Sequence, residues 1–416
     1  MKTILKYISL FLALSLSMNL WIGCEKANQT VKTGLDILNE DKFAHLIGKR
    51  VGLITNRTGI DKDGNQNIDL LIDAGISLIA IFSPEHGFYG KIEAGKEVQS
   101  SMNNHYGIPF YSLYGNTKSP TLEMLDNLDV LLYDIQDVGL RSYTYISTMG
   151  LAMEAAGKNK IDFIILDRPN PINGMIMEGR ILNENFKSFI GKFPIPYIYG
   201  LTPGELGIII NEQKWFENQC ELKVIRMNHW SRNMSWDDTG LKWISPSPNV
   251  PNSRTPLFMA MTGILGELGV FSVGIGTEYP FQFIGAPWIN KFAITKELNN
   301  LSLDGFSFSA LTLTPTKGLF KGQKIHGVQI DINDNNLSNL ILLQFYFLEI
   351  HNKIYPERNP FLLASKNQIS MFDKALGTDL IRKQFVSSFN TDNIKSFLYP
   401  DLTHFKNIVE PFLLYE

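Results

Sequence analysis

The chain predicts a doubly wound α/β domain followed by a smaller α+β domain, and three observations carry that prediction. Continuous Val/Ile/Leu runs recur through the first half, separated by segments of helical spacing, which is the pattern of a parallel sheet covered on both faces. Each run closes in Pro, Gly or short polar residues, the punctuation of a strand entering a loop. Ser245 to Asn252, with its three prolines, then breaks the pattern as an inter-domain connection would.

Taken in order, residues 1–24 read as an export signal. Lys2 and Lys6 form a positive n-region, and Ile8 to Leu20 an apolar h-region too short to span a bilayer comfortably. Trp21-Ile22-Gly23-Cys24 resembles a lipobox, which predicts diacylation of Cys24 and anchoring to a membrane; Trp21 departs from the aliphatic residue usual there. Cys220 is then the one thiol left, so no intrachain disulfide is expected and the core must hold the fold. The first domain is placed at 31–240. Its strands are Val51–Thr55, Ile76–Phe82, Val130–Asp134 and Phe163–Leu166, with helices over Ile68–Ala74 and about Tyr143–Ala156. The second domain is placed at 245–416. It has helical spacing over Leu257–Leu268, a Gly- and aromatic-rich loop at Gly274–Phe281, strands at Phe306–Thr314 and Lys324–Ile332, and an apolar helix over Leu337–Ile354.

The four first-domain strands end in Asn56/Arg57, Glu85/His86, Asp134/Gln136/Asp137 and Asp167/Arg168/Asn170. In a parallel sheet such ends share one edge and converge on one crevice. Strand-end loops are polar in any case, but four charged clusters on one edge exceed that expectation.

Several chemistries are unsupported. No G-x-G-x-x-G follows a strand and no P-loop occurs, so nucleotide binding is not expected. The seven histidines are scattered, with no H-E-x-x-H, and no G-x-S-x-G elbow appears; neither a metal nor a cofactor is called. A formal net charge of −3 argues against a nucleic-acid surface. Carboxylates, arginines and aromatics remain, and that set suits a sugar.

Glycoside hydrolysis usually needs two carboxyl groups, one protonated and one ionised. Glu85 is the leading general acid, beside His86. Glu93, eight residues on, is the nearest partner, and Glu278 would reach the crevice from the second domain. Asn56, Asp134, Gln136, Asp137, Tyr143 and Asn170 are expected around the substrate. Arg141 and Arg168 suit a two-pronged grip on a carboxylate. Their alternative is internal pairing, with Asp137 and Asp167 respectively. Tyr145, Tyr279, Phe281 and Trp288 offer flat faces for a sugar ring or, equally, core packing.

Read together, Val51–Asn56, Pro84-Glu85-His86-Gly87, Asp134–Gly139 with Arg141 and Tyr143-Thr144-Tyr145, Asp167–Pro171, Ser247–Pro251, and Gly276-Thr277-Glu278 through Gly285–Trp288 resemble the exo-β-N-acetylmuramidase (NamZ-type) family. The resemblance runs from about Thr33 to Tyr415. It implies a Rossmann-like first domain with the second domain over its crevice, and removal of terminal N-acetylmuramic acid from the non-reducing end of peptidoglycan fragments. It also implies that Glu85 is the principal catalytic residue. The lactyl carboxylate of that sugar would give Arg141 or Arg168 an anion to hold. Arg57 and His326 depart from the family pattern and bear on substrate detail. The expectation is thus an exported, lipid-anchored exo-muramidase. Two alternatives are a non-catalytic lipoprotein that captures cell-wall sugars and a hydrolase of N-acetylglucosaminides. Retention, inversion and assistance by the substrate's own acetamide stay open, since the carboxyl separation decides the first two.

Overall fold

A computed structural model of the chain describes residues 29–97, 99–103, 105–333 and 337–416. The export signal and Cys24 lie outside the described residues. No helix among the described residues is long and apolar enough to cross a membrane.

The first domain is built on seven strands, β1 Arg50–Thr55, β2 Ser77–Ser83, β3 Ser101–Asn103, β4 Ile108–Ser112, β5 Val130–Asp134, β6 Asp162–Leu166 and β7 Leu222–Ile225. They lie in the order β3-β4-β2-β1-β5-β6-β7. All neighbours run parallel except the edge pair β3–β4. Leaving β3 aside, the strands step outward from β1 in both directions, which is the Rossmann order. The direction reverses between β1 and β5, where Thr55 pairs with Asp134. That point is where such sheets open a crevice.

Side chains alternate across the sheet, and each set finds its own helices. Val51, Leu53, Leu132 and Ile164 bury one face against α1 (Gly34–Glu40) and α2 (Asn67–Asp73), through Leu35, Leu38, Ile68 and Leu71. Ile54, Leu131, Tyr133 and Ile165 bury the other against α3 (Tyr145–Asn159) and α4 (Pro203–Glu212), through Met149, Met153, Leu206 and Ile210. Helix α3 starts two residues later than its spacing predicts. Thr144, at its N-cap, makes no capping bond, because its hydroxyl is donated to Glu85 instead.

The second domain carries a three-stranded antiparallel sheet, β8 Phe283–Ala286, β9 Phe306–Leu313 and β10 Ile325–Ile332, in the order β8-β10-β9. Gly327 faces Gly285 across the β8–β10 pair, and a Cβ on Gly327 would lie 2.0 Å from the Ile284 carbonyl oxygen, so only glycine fits. Helices α5 Thr255–Gly266, α6 Lys291–Asn300, α7 Leu343–Ile354 and α8 Lys366–Leu376 pack with this sheet, and shorter helices at Leu380–Val386 and Thr403–Val409 follow. The apolar stretch from Leu337 becomes α-helical only at Leu343, after a 3₁₀ turn at Leu340–Leu342 entered through Asn339 at φ 60°.

One hydrophobic cluster runs unbroken from Ile54 and Tyr133 under the first sheet to Ile264, Phe345 and Val409 in the second domain. The tail closes the structure from the far side. The Leu414 N–H donates to Glu205, the Tyr415 hydroxyl donates to Asp167, and Glu205 pairs with buried Arg232 at 2.6 Å.

His351 on α7 lies among Phe271, Phe347, Tyr355 and Trp288 and accepts the Trp288 indole N–H at 3.2 Å. Burial, with help from Arg358, lowers its pKa from 6.5 to about 4. The folded state therefore binds fewer protons than the unfolded state between those values, and stability rises with pH there. The urea midpoint of wild type should drop as pH falls from 6.5 to 4. His351→Gln, which keeps an acceptor for Trp288, should flatten that slope; an unchanged slope would place its origin elsewhere.

Candidate active site

The site begins at the end of β2. His86 and Gly87 both take left-handed backbone, at φ 73° and 69°, and the chain reverses sharply there. A left-handed histidine is uncommon and marks a conformation held by its surroundings. Glu85 and His86 are both buried. The Glu85 carboxylate accepts the Gly95 N–H at 2.9 Å on Oε1 and the Thr144 hydroxyl at 2.8 Å on Oε2. Tyr114 is half-buried beyond β4, and burial with the nearby Glu85 charge raises its pKa. The Tyr145 hydroxyl donates to the carbonyl of Pro246 at 2.6 Å and lies 3.4 Å from that of Glu85.

His86 Nδ1 lies 2.6 Å from the Ile92 carbonyl. A carbonyl only accepts, so Nδ1 carries the proton and Nε2 is left as an acceptor. Burial lowers the His86 pKa, and Lys317 adds to the effect, so the ring is neutral at neutral pH. Lys317 belongs to the second domain and lines a cleft of about 750 Å³ with Pro248, Asn249, Asn252, Thr277 and Glu278. The segment expected to be a plain connection, Ser245–Asn252, is therefore a wall of this cleft. It is fixed by Tyr145 at Pro246 and by Arg57, whose Nε donates to the Ser245 carbonyl at 2.6 Å.

The four polar strand ends do converge, but most of their side chains are hydrogen-bonded to other groups of the protein. Asp134 accepts Arg168 Nε at 2.6 Å and Asn67 Nδ2 at 2.7 Å. Gln136 Nε2 donates to the carbonyls of Asp137 and Pro169. Asn56 accepts the N–H and hydroxyl of Thr58 through its own Oδ1. Asp137 accepts the Gly139 N–H and the Tyr199 hydroxyl, and burial pushes its carboxyl up to about 6. Asn170 Nδ2 donates to the Leu201 carbonyl, and Gly139, at φ 80°, lies so close that a Cβ there would come within 2.4 Å of Asn170. Tyr143 is buried edge-on to Tyr145 at 4.6 Å between ring centres.

Both arginines correct the expectation of a grip on substrate. Arg141 is fully buried and donates to the carbonyls of Arg180 and Ile195 in the first domain and of Ala375 in α8. Asp137 is not among its hydrogen-bond partners. Arg168 pairs with Asp134 rather than Asp167, because Thr202, Gly204 and Tyr415 already donate to Asp167. Arg168 lines only a hollow of about 20 Å³, room for about one water. Glu93 is exposed at the tip of the loop after β2, with no side-chain partner among the described residues, and Glu278 is exposed on the cleft wall. Among the described residues no three His, Cys, Asp or Glu side chains are grouped to hold a metal.

Two side chains that motif reading passed over belong to this region. Lys317 is one. The other is Glu267, half-buried at the C-cap of α5, whose carboxyl burial and the Glu85 charge push up to about 7. Its sequence signal is available in hindsight, because it is the one charged residue between Arg254 and Glu278. A lone charge in an apolar stretch needs a reason to be there.

Arg141→Met should leave the carbonyls of Arg180, Ile195 and Ala375 without their donor. Orphaned buried acceptors of this kind should lower unfolding free energy by about 3 kcal/mol or more. Urea titration reads the loss, with KM of the folded fraction unchanged. A raised KM at full stability would return Arg141 to the substrate.

Comparison with known proteins agrees with this geometry. The family description "Exo-beta-N-acetylmuramidase NamZ, N-terminal" matches residues 51–254 and its C-terminal counterpart matches residues 257–415. The chain is 40% identical over 397 residues to the peptidoglycan β-N-acetylmuramidase NamZ of Bacillus subtilis, covering 94% of each. A crystal structure of a DUF1343 family protein from Bacteroides fragilis superposes with a TM-score of 0.89 at 42% identity, covering 93% of this chain and 99% of that one. A second DUF1343 protein from the same organism gives a TM-score of 0.73 at 28% identity, with the same coverage. With both halves matched and the fold shared end to end, the chain belongs to the NamZ exo-β-N-acetylmuramidase family.

Proposed function

We propose that this protein is an exo-acting β-N-acetylmuramidase that hydrolyses terminal non-reducing N-acetylmuramic acid from peptidoglycan fragments, with Glu85 at its catalytic centre. Family membership supports the reaction class. The observation that carries the residue assignment is the Glu85 carboxylate, buried at the crevice edge and met by Gly95 and Thr144. Glu85 is held in one place by these bonds, as the proton-donor role expected from its sequence position requires. Neutral His86, with Nε2 open as an acceptor, is placed to take a hydrogen bond from a sugar hydroxyl or amide.

N-Acetylmuramic acid differs from N-acetylglucosamine by its lactyl carboxylate, and a carboxylate in a cleft wants a cation. With Arg141 and Arg168 committed inside the protein, Lys317 takes that role in our reading. It lines the cleft beside His86 and pairs with no acid among the described residues. The export signal and Cys24 support the further proposal that the enzyme works outside the cytoplasm on a lipid anchor.

The test is chromophore release from para-nitrophenyl β-N-acetylmuramide, with the glucosaminide alongside. Turnover of the muramide, cut at least about a hundredfold by Glu85→Gln, is expected for an essential carboxylate. Binding of muramic acid without turnover of either sugar would favour the capture-protein alternative. Lys317→Met should raise KM for the muramide about tenfold or more, as loss of a charged hydrogen bond does. It should leave any glucosaminide activity unchanged; an unaltered muramide KM would remove Lys317 from the site.

A further inference from the structure

The cleft of about 750 Å³ is roomier than one terminal monosaccharide requires, since volumes of this order enclose a whole drug-sized ligand. Space is left in it for the sugars beyond the cleaved bond. Residues 312–317 run along its lining, with Lys317 at one end. The other end, Thr312, is backed by a second cation. Thr312 lies opposite His326 in the β9–β10 register, and its hydroxyl stands 2.9 Å from His326 Nδ1. The same hydroxyl accepts a hydrogen bond from Lys291 Nζ at 3.0 Å.

Lys291 is half-buried and opens α6. Asn290 caps that helix by accepting the N–H groups of Phe292 and Ala293, so the ammonium rather than the helix end is what Lys291 offers to a ligand. Thr312 takes one of its three N–H donors. The ammonium also lies 5.2 Å from the centre of the Phe292 ring, a side chain 70% exposed. Among the described residues no carboxylate pairs with Lys291 or Lys317. The chain shows why. It has no Asp or Glu between Glu278 and Glu297 or between Asp304 and Asp331, while Lys317, Lys321 and Lys324 all fall between β9 and β10. Glu278 is the one acid in the cleft lining, and it is tied to neither lysine. A half-buried ammonium with no counter-ion, one hydroxyl away from a wide cleft, is set for an anion that arrives with the ligand. The exposed ring beside it is a face on which a sugar can stack.

We propose that Lys291, with Phe292, forms a second saccharide subsite, which binds the lactyl carboxylate of the next muramic acid along the same glycan. The subsite rests on the muramidase reading above, in which Lys317 meets the lactyl carboxylate of the terminal sugar. The two amino sugars of peptidoglycan alternate, so the second carboxylate comes two sugars on. Lys291 is thus a specificity-determining residue: the enzyme favours fragments that extend past the bond it cuts.

Chain length tests the subsite. Para-nitrophenyl β-N-acetylmuramide carries one carboxylate. The peptide-free tetrasaccharide of two N-acetylmuramyl-β-1,4-N-acetylglucosamine units carries two. Lys291→Met should raise KM for the tetrasaccharide about tenfold with kcat kept, as loss of a charged hydrogen bond does, and leave KM for the aryl muramide within about twofold. Lys291→Arg, which keeps the charge, should recover part of the loss. Phe292→Ala, at an exposed position, should raise the tetrasaccharide KM and spare the aryl substrate. An unchanged tetrasaccharide KM in Lys291→Met would overturn the subsite. An equal rise on both substrates would overturn it too, by putting Lys291 on the terminal sugar's own carboxylate. Should that variant not fold, the wild type decides. A tetrasaccharide KM below that of the disaccharide, with a gap that narrows as salt is raised, supports the subsite, and equal values at low salt refute it. Wild-type protein that cleaves neither substrate would instead overturn the muramidase reading beneath it.

Discussion

Asp134 is the point through which the crevice edge is held together. It ends β5, the strand beside which the sheet order reverses, and it binds Arg168 from beyond β6 and Asn67 from the start of α2. The Thr55 hydroxyl, at the end of β1, donates to the Asp134 backbone carbonyl and accepts from the same Asn67 amide. Arg168 reaches on to the Ile60 carbonyl. Three strand ends and a helix start are therefore fixed by one buried ion pair and its hydrogen bonds. A buried pair is costly to desolvate and adds little net stability, but breaking it is severe. What this pair does here is positional. It leaves the loop after β2 as the polar strand end with its acid–base groups toward the crevice.

The second domain completes the site because the two domains are not separable bodies. Their apolar side chains form one cluster, and the polar ties cross the same boundary, with Arg141 on Ala375, Arg57 on Ser245 and Tyr145 on Pro246. The cleft wall bearing Lys317 is thereby fixed to the first domain.

Much of this architecture was legible in the chain. Strands β1, β2, β5 and β6 announced themselves as apolar runs, and their parallel order put Glu85 and His86 at the correct edge. Legibility failed where pairing is set by three-dimensional distance. Arg168 is adjacent to Asp167 in sequence, yet it pairs across 34 positions with Asp134, since Asp167 is occupied from α4 and the tail. Arg141 looked like a ligand-binding cation because no local signal reveals that three carbonyls from 39 to 234 positions away surround it. Strand β4 (IPFYS) is as long as β5, but Pro109, Tyr111 and Ser112 interrupt its apolar run, as Lys223 does in the four-residue β7. Glu267 escaped for the opposite reason, having no motif around it, only an apolar helix that it interrupts.

The continuous core has a consequence for turnover. Hinge closure needs two bodies whose separation exposes little apolar surface. Here any swing would pull apart a packed interior and take the Ala375 carbonyl away from the Arg141 guanidinium. The crevice is consequently a fixed vessel. Saccharides enter and leave through a standing mouth, and adaptation to a new cell-wall fragment has to come from the rim, through the loop after β2 and the Gly274–Phe281 turn, while the frame behind them keeps its shape.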